Sequence, residues 1–197
     1  MASCDEFDGG FGWIEDGGFM RRCAHALVDG GRVWLVDPFD EPGLEERVRA
    51  AGEPAGVIQL LDRHGRDCAQ LASRLGVPHL TLSAPEPFRA LPLATPPRWR
   101  EAALWWPERS VLVVADALGT ARYYRAGDER LAVHPLLRLF PPRRLAALDP
   151  ERILVGHGEG VHADARQALV EALASSRRRL PAWAWGGFRA HALGRRP

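Results

Sequence analysis

The segment 57–76 constrains the fold of this 197-residue chain more than any other. Its first five residues, 57–61, form an apolar run with the length of a buried strand, and a charged cluster follows directly. Apolar residues then recur at helical spacing up to Gly76, a residue type that favours the end of a helix. The segment therefore predicts a strand, a polar loop and a helix, an arrangement that presents reactive side chains at a strand end.

Apolar runs on either side of this segment predict further strands and helices. Two pairs of runs are separated by short turn sequences and predict hairpins. The predicted strands are 24–28, 32–36, 57–61, 79–82, 102–106, 111–115, 118–125 and 152–155, and the predicted helices are 44–51, 68–75, 142–148 and 163–176. Each half of the chain thus has hairpin strands followed by a strand and a helix. This order predicts an α+β protein in which two mixed β-sheets pack face to face and are flanked by helices.

The composition shows no excess of either charge. The chain has 26 basic and 25 acidic residues and a net charge of +1, so bulk electrostatics give no reason to expect nucleic acid as a partner. The N-terminus lacks the apolar region of a signal peptide, and no apolar stretch is long enough to span a bilayer. The 3 cysteines have no repeating spacing, which favours a reducing compartment over a disulfide framework. We expect a cytoplasmic protein without membrane partners.

The length favours one domain, which we predict over residues 1–176. A tail at 177–197 is rich in arginine and aromatic residues. We expect Trp183 and Trp185 to cover apolar surface of the same domain. Because Trp and Arg are favoured at interfaces, a homodimer formed through this tail is the alternative.

Acidic, cysteine and histidine side chains follow three of the predicted strands. Asp67 and Cys68 come between a strand and a helix. Asp116 directly follows a strand, and His157 lies between two glycines after the last strand. Because functional side chains gather on loops that leave a rigid sheet, we expect these four residues to share one site.

Each of the four also has a structural alternative. His157 could be a turn histidine that binds the backbone. Asp67 and Asp116 could cap the helix or turn that follows each of them. Cys68 could be a small buried hydrophobe, or a nucleophile whose pKa is lowered by the helix N-terminus.

Three charged side chains in the loop after residue 61 are candidates for substrate binding. These are Arg63, His64 and Arg66. An arginine can form two hydrogen bonds with a carboxylate or phosphate, and the alternative is that these residues pair with neighbouring aspartates. His25 and His134 are further pocket candidates, for which a core or turn position is the alternative.

In this layout the residues resemble the metallo-β-lactamase fold, a four-layer αββα sandwich. In that family an early strand ends in an Asp, and a later strand leads into the signature H-x-H-x-D-H. Another strand ends in an Asp that bridges two metals, and the last strand ends in a His. Here the corresponding residues are Asp37, Asp67, Asp116 and His157. The resemblance covers residues 23–173.

The signature is degenerate in this chain. Anchored on Asp67, it has Arg63 and Gly65 in place of the first two histidines and Cys68 in place of the third. The segment before Asp116 offers no convincing histidine for the third ligand of the family's first metal. The resemblance therefore implies at most one metal, a zinc ion bound by Asp67, Cys68, Asp116 and His157.

The resemblance implies a hydrolase that acts on an ester, thioester or amide of a small anionic molecule. Water bound to the metal would be the nucleophile, with Asp67 and Asp116 as catalytic carboxylates. The substrate contacts would be Arg63, His64 and Arg66. The alternative is a non-catalytic descendant of the fold that binds a small molecule or a protein, which the loss of the signature histidines favours. A closed site with four protein ligands would likewise make the metal structural.

Overall fold

Six strands from the first half of the chain form one mixed sheet. The computed structural model describes residues 2–17, 19–64, 66–93 and 99–193, with side chains up to residue 185. In spatial order the strands are β1 (Ala2–Phe7), β2 (Gly10–Ile14), β3 (Cys23–Asp29), β4 (Arg32–Val36), β5 (Glu53–Gln59) and β6 (His79–Thr81). Strands β1 to β4 are antiparallel neighbours, and β4, β5 and β6 are parallel. Helices α1 (Leu44–Ala51) and α2 (Cys68–Leu75) connect the parallel strands.

The second half of the chain forms a four-stranded mixed sheet and the longest helix of the described residues. The strands of this sheet are β7 (Arg89–Pro92), β8 (Ala102–Trp106), β9 (Val111–Val114) and β12 (Arg152–Val155), in the order β12-β9-β8-β7. Strands β12 and β9 are parallel, and the other pairs are antiparallel. A separate ribbon pairs β10 (Leu118–Gly119) with β11 (Ala132–Val133). Short 3₁₀ helices span Pro107–Arg109, Pro135–Leu137 and Arg143–Ala147, and α3 spans Ala165–Leu193.

Strand β4 shows how the layers stack, because its successive side chains point to opposite faces of the first sheet. Val33 and Leu35 pack with the apolar residues of α1 and α2 on one face. Trp34 and Val36 pack on the other face with the residues of the second sheet. Helix α3 contacts β11 and β12, and its Leu169 joins the core of the second sheet. The layers are therefore helix, sheet, sheet and helix, and the predicted αββα sandwich is confirmed.

Two predicted elements differ from the structure in length more than the others do. The strand predicted at 118–125 has only two residues, because the N–H groups of Thr120 and Ala121 both donate to the His157 carbonyl and turn the chain out of the sheet. Helix α3 continues beyond residue 176, and the Trp183 indole N–H donates to the Tyr123 carbonyl at 2.7 Å. This contact holds part of the predicted tail against the domain. The division of the chain at residue 176 stays a prediction.

None of the described helices is both long enough and apolar enough to cross a membrane.

Candidate metal centre

Two parallel strands of the second sheet deliver an acid and a histidine to the same point. Val155 of β12 is the register partner of Val114 of β9. Asp116 and His157 each lie two residues beyond this pair, so they emerge side by side at the carboxyl ends of the strands. The distance from Asp116 Oδ1 to His157 Nε2 is 3.0 Å.

A second histidine reaches the same carboxylate oxygen from the first sheet. His64 lies in the loop between β5 and α2, and its backbone N–H donates to the Leu61 carbonyl. Its Nε2 is 2.9 Å from Asp116 Oδ1. The ligand-type atoms of His64, Asp116 and His157 all lie within 4.8 Å of one another. We call these three residues the His–Asp–His centre.

The other ring nitrogen of each histidine faces an oxygen. His157 Nδ1 is 3.1 Å from the Met20 carbonyl, so it donates there and leaves Nε2 directed at Asp116. His64 Nδ1 is 3.4 Å from Asp37 Oδ1, which is long for a hydrogen bond. Asp37 also accepts from the Leu60 N–H, which fixes its carboxylate at the end of β4.

The centre is an ion pair in the metal-free protein. Burial alone would raise the pKa of Asp116, but the hydrogen bonds from His157 and His64 hold it well below its usual range. Burial alone would lower the pKa of His64, but the carboxylates of Asp116 and Asp37 raise it to about 9. His64 is therefore protonated at neutral pH, and a cation bound between the three side chains would take the place of that proton.

Glu101 fixes the backbone at Asp116, and it was not identified from the sequence as a residue of the centre. Its Oε1 accepts from the backbone N–H groups of Asp116 at 2.9 Å and Ala117 at 3.0 Å, and its Oε2 accepts from the Trp99 indole at 2.7 Å. Only 3% of Glu101 is exposed, and burial raises the pKa of its carboxyl to about 7. The available signal in the sequence was a lone acid directly before an apolar strand.

Four ring side chains form a wall beside the centre, which we call the aromatic wall. It consists of Trp99, Tyr123, Tyr124 and His134. The Tyr124 ring stacks on His157 with a centroid distance of 5.8 Å. Burial lowers the pKa of His134 to about 4, so this ring is neutral at physiological pH. The wall therefore screens one side of the centre from water without adding charge.

The two arginines predicted to bind substrate have different positions. The Arg66 guanidinium donates to the carbonyls of Cys23, Asp37 and Gly156 at distances of 2.6–2.8 Å. It thereby connects the ends of β3, β4 and β12 beside the centre. Arg63 is exposed, and its guanidinium carbon lies 4.6 Å from the centroid of the Trp99 ring.

Asp67 and Cys68 have other contacts in the described residues. Asp67 Oδ2 accepts from the Asp40 N–H at 2.8 Å, and its side chain makes no capping hydrogen bond to α2. Cys68 is 2% exposed within the apolar cluster under α1 and α2, and burial raises the pKa of its thiol to about 12. Neither belongs to the group of ligand-type atoms around Asp116. Their roles as metal ligands stay predictions.

The two glycines around His157 are required by close backbone contacts. A Cβ on Gly156 would overlap the Ala115 carbonyl. Gly158 has a φ of +90°, and a Cβ there would overlap the Thr120 hydroxyl and lie 2.5 Å from the Ala121 nitrogen. The Gly-His-Gly sequence thus lets the turn pass close to the segment after β10 while it presents the imidazole.

We expect Gly158→Ala to lower the free energy of unfolding by about 2–3 kcal/mol, because it adds both backbone strain and overlap. The control is Gly76→Ala, since Gly76 has a φ of +69° with nothing within 4 Å of the added Cβ. This control should cost only about 1 kcal/mol. Urea unfolding of both variants measures the difference, and equal costs would contradict the role given to the turn.

The comparisons with known proteins identify the fold. No protein-family model matches the chain, and no curated protein matches it. A flavodiiron protein from Giardia intestinalis superposes with a TM-score of 0.61 at 14% identity, covering 91% of this chain and 59% of that one. Metallo-β-lactamases from Pontibacter korlensis and Hirschia baltica superpose with TM-scores of 0.59 and 0.58 at 10% and 11% identity. The Pontibacter protein covers 88% of this chain and 98% of its own chain, and the Hirschia protein covers 89% and 97%. The chain therefore has the metallo-β-lactamase fold.

Proposed function

We propose that this protein is a metal-dependent hydrolase whose single-metal site is the His–Asp–His centre. One observation carries the proposal: Asp116 Oδ1 lies within 3.0 Å of the Nε2 atoms of both His64 and His157. Three side chains from distant parts of the sequence thus direct ligand-type atoms at one point at the carboxyl ends of the strands.

The chemistry of the donor set fits a divalent metal. Two imidazoles and one carboxylate are the protein ligands of several catalytic zinc and non-haem iron(II) sites, and we expect zinc here. Ligating histidines commonly bind a carbonyl or carboxylate through the second ring nitrogen, as His157 does with Met20. Three protein ligands also leave a coordination position open, which catalysis requires. A metal at this position supplies Lewis-acid activation of water and of the substrate carbonyl.

The surrounding residues support hydrolysis of a small anionic molecule. The stacked Tyr124 ring restricts water on one side of His157. A surface depression begins at Gly158, directly after His157, and is lined by Arg21, Arg125 and Arg130 with Glu159 as the one acid of its lining. Arg21 pairs with Glu159 at 3.0 Å and Arg130 lies 3.6 Å from Asp164, so the net positive charge of the depression comes from Arg125 and favours an anionic ligand. Two of the three structural neighbours described above are named metallo-β-lactamases, which supports an amide, ester or thioester as the bond that is cleaved.

The test combines metal analysis with a hydrolysis assay. We expect His157→Ala and Asp116→Ala, purified without added metal, to contain one metal equivalent less per chain than the unaltered protein. On a panel of anionic esters, thioesters and amides they should lose more than about 100-fold in kcat/KM, since loss of an outer partner alone costs about 10- to 100-fold.

The control variant for this test is His79→Ala. His79 is an exposed histidine whose Nε2 contacts the Gln59 side chain at 2.9 Å, away from the centre. This variant should keep its metal and its activity. Unchanged metal content in both His157→Ala and Asp116→Ala would refute the proposed site.

The second candidate function is a non-catalytic module that binds an anionic small molecule or a protein. Arg66 favours it, because its guanidinium already supplies a fixed positive charge at the strand ends. The Asp116 carboxylate is likewise neutralised by His64 without a metal. Protein that carries no metal at the His–Asp–His centre and hydrolyses nothing on the panel would support this function over the first.

A further inference from the structure

A second cluster of ligand-type side chains lies in the first three strands, and it shares no residue with the His–Asp–His centre. Cys4 Sγ and Cys23 Sγ are 3.1 Å apart. Cys23 Sγ is 3.5 Å from His25 Nε2 and 3.7 Å from Asp5 Oδ2. His25 Nε2 and Asp5 Oδ2 are 3.0 Å apart. Ligand-type atoms of Cys4, Asp5 and Cys23 therefore all lie within 4.8 Å of one another, and the His25 imidazole adjoins Cys23 and Asp5.

Strand register builds this cluster around a glycine. Cys4 of β1 is opposite Gly12 of β2, and Gly12 is opposite His25 of β3. Cys23 lies two residues before His25 and so points to the same face. A Cβ on Gly12 would lie 2.8 Å from Cys4 Sγ and 3.0 Å from the His25 ring. Because Gly12 has no side chain, the thiol and the imidazole can approach each other across the middle strand.

An irregularity in β1 turns Asp5 into the same space. The register of β1 and β2 shifts between Cys4 and Phe7, and Asp5 has a φ of +52°. Its side chain is only 1% exposed. One carboxylate oxygen, Oδ1, accepts from the Gly160 N–H at 2.7 Å and lies 2.8 Å from His162 Nε2. The other oxygen, Oδ2, is thereby left facing Cys23 and His25.

We propose that this cluster is a structural zinc site with Cys4 Sγ, Cys23 Sγ, His25 Nε2 and Asp5 Oδ2 as its ligands. Thiolates and imidazole together select zinc among the common divalent metals, and four protein ligands close the coordination shell. Zinc bonds of about 2.0–2.3 Å place tetrahedral ligand atoms about 3.3–3.8 Å apart. The three distances among Cys23, His25 and Asp5, 3.0–3.7 Å, need to change by only a few tenths of an ångström. The sulfurs of Cys4 and Cys23, now 3.1 Å apart, would separate by about 0.7 Å.

The position of the site explains what the metal does. The edge strand β1 has a neighbour on one side only, and four ligands from β1 and β3 would fix it across β2. His162 and Gly160, which hold the second oxygen of Asp5, belong to the segment between β12 and α3. The site exists only in the folded protein, so the free energy of zinc binding adds to the stability of the fold. Zinc binding therefore stabilises the contact of the first sheet with the segment after His157.

Cobalt(II) titration of the reduced, metal-free full-length protein tests the site, because bound thiolates give a sulfur-to-cobalt charge-transfer absorption. We expect this absorption to saturate at one cobalt per chain with the intensity of two thiolates, and to fall by half or more in Cys4→Ser and Cys4→Ala, which keep only the Cys23 thiolate. Cys4 is half-buried on an edge strand, so these variants should keep the fold, which circular dichroism verifies. Zinc should raise the Tm of the unaltered protein and leave that of Cys4→Ser unchanged.

Two control variants separate this site from the centre described above. Cys68→Ala should keep the charge-transfer absorption, because the Cys68 thiol is buried under α1 and α2. His157→Ala should also keep it, since the His–Asp–His centre contains no sulfur, so failure of the hydrolase proposal leaves this signal intact.

Three results would overturn the zinc site. They are an absorption of undiminished intensity in Cys4→Ser, reduced protein that gives no sulfur-to-cobalt absorption, and protein that is purified with Cys4 and Cys23 joined in a disulfide and without zinc.

Discussion

Replacing Arg138 with methionine is expected to lower the free energy of unfolding by about 3–5 kcal/mol. The Arg138 side chain is fully buried, and it donates to both carboxylate oxygens of Glu129, at 3.1 and 2.6 Å. It also donates to the Tyr124 carbonyl at 2.6 Å. The substitution leaves the Glu129 carboxylate, with 4% of its side chain exposed, without a countercharge in the core. Urea-induced unfolding measures the loss.

Two further variants identify the buried charge as the cause. Arg49→Ala removes a pair with Glu45 on the surface of α1 and should cost less than about 0.5 kcal/mol. Changing both Arg138 and Glu129 to methionine should recover most of the loss, because no unpaired charge remains in the core. A single-variant cost near that of Arg49→Ala would contradict the prediction.

The Arg138 pair also affects the candidate centre. Tyr124, whose carbonyl Arg138 holds, is the ring that stacks on His157. Ser176 of α3 donates its hydroxyl to the Arg138 carbonyl, so the same residue connects the long helix to the aromatic wall. The wall is thus positioned by a polar network in the core rather than by apolar packing alone.

The fold could be predicted because the apolar residues within its elements recur at the spacings typical of helices and strands. Helix α1 and strand β12 have the predicted bounds, since an apolar pattern with clear breaks on both sides determines each of them. The failures have nonlocal causes. The predicted strand 118–125 ends early because its backbone binds His157, and α3 continues because its later residues find partners such as Tyr123.

The candidate site was harder to predict than the fold. Asp116 and His157 follow parallel strands, and their sequence positions therefore determine where they lie. The loop 62–67 has no such constraint, and spacing alone cannot say which of its side chains reaches Asp116. In the structure it is His64, which was predicted to bind substrate, whereas Asp67 contacts the backbone of Asp40.

The cluster of Cys4, Asp5, Cys23 and His25 was even harder to predict from the spacing of residues in the sequence. Its ligand-type residues lie on two strands separated by a third, so they come together only through the register of β1, β2 and β3. No spacing of Cys4, Cys23 and His25 along the sequence resembles a metal motif. The signal that was available is Gly12, a glycine within an apolar strand, which commonly marks a close approach of neighbouring groups.

Glu101 is expected to make the stability of the metal-free protein depend on pH. The pKa of its carboxyl is about 7 in the folded protein, against 4.5 for an ordinary glutamate, because burial and the nearby Asp116 charge outweigh three N–H donors. Between these two pH values the folded state keeps a proton that the unfolded state has lost. The Glu101 contribution to the free energy of unfolding therefore falls by about 3 kcal/mol as the pH rises from 4.5 to 7.

The variant Glu101→Gln removes this titration. The free energy of unfolding of the unaltered protein minus that of the variant should fall by the same amount across this pH range. The amide of the variant cannot accept from Trp99 as the carboxylate does, and this adds an offset that does not change with pH. The Asp116 and His64 side chains are present in both proteins, so their own titrations cancel to a first approximation.

The control variant is Glu108→Gln, at an exposed position in the turn after β8, and it should leave the pH dependence unchanged. A difference that is constant from pH 4.5 to 7 would show that Glu101 is ionised throughout, held as a carboxylate by its three N–H donors.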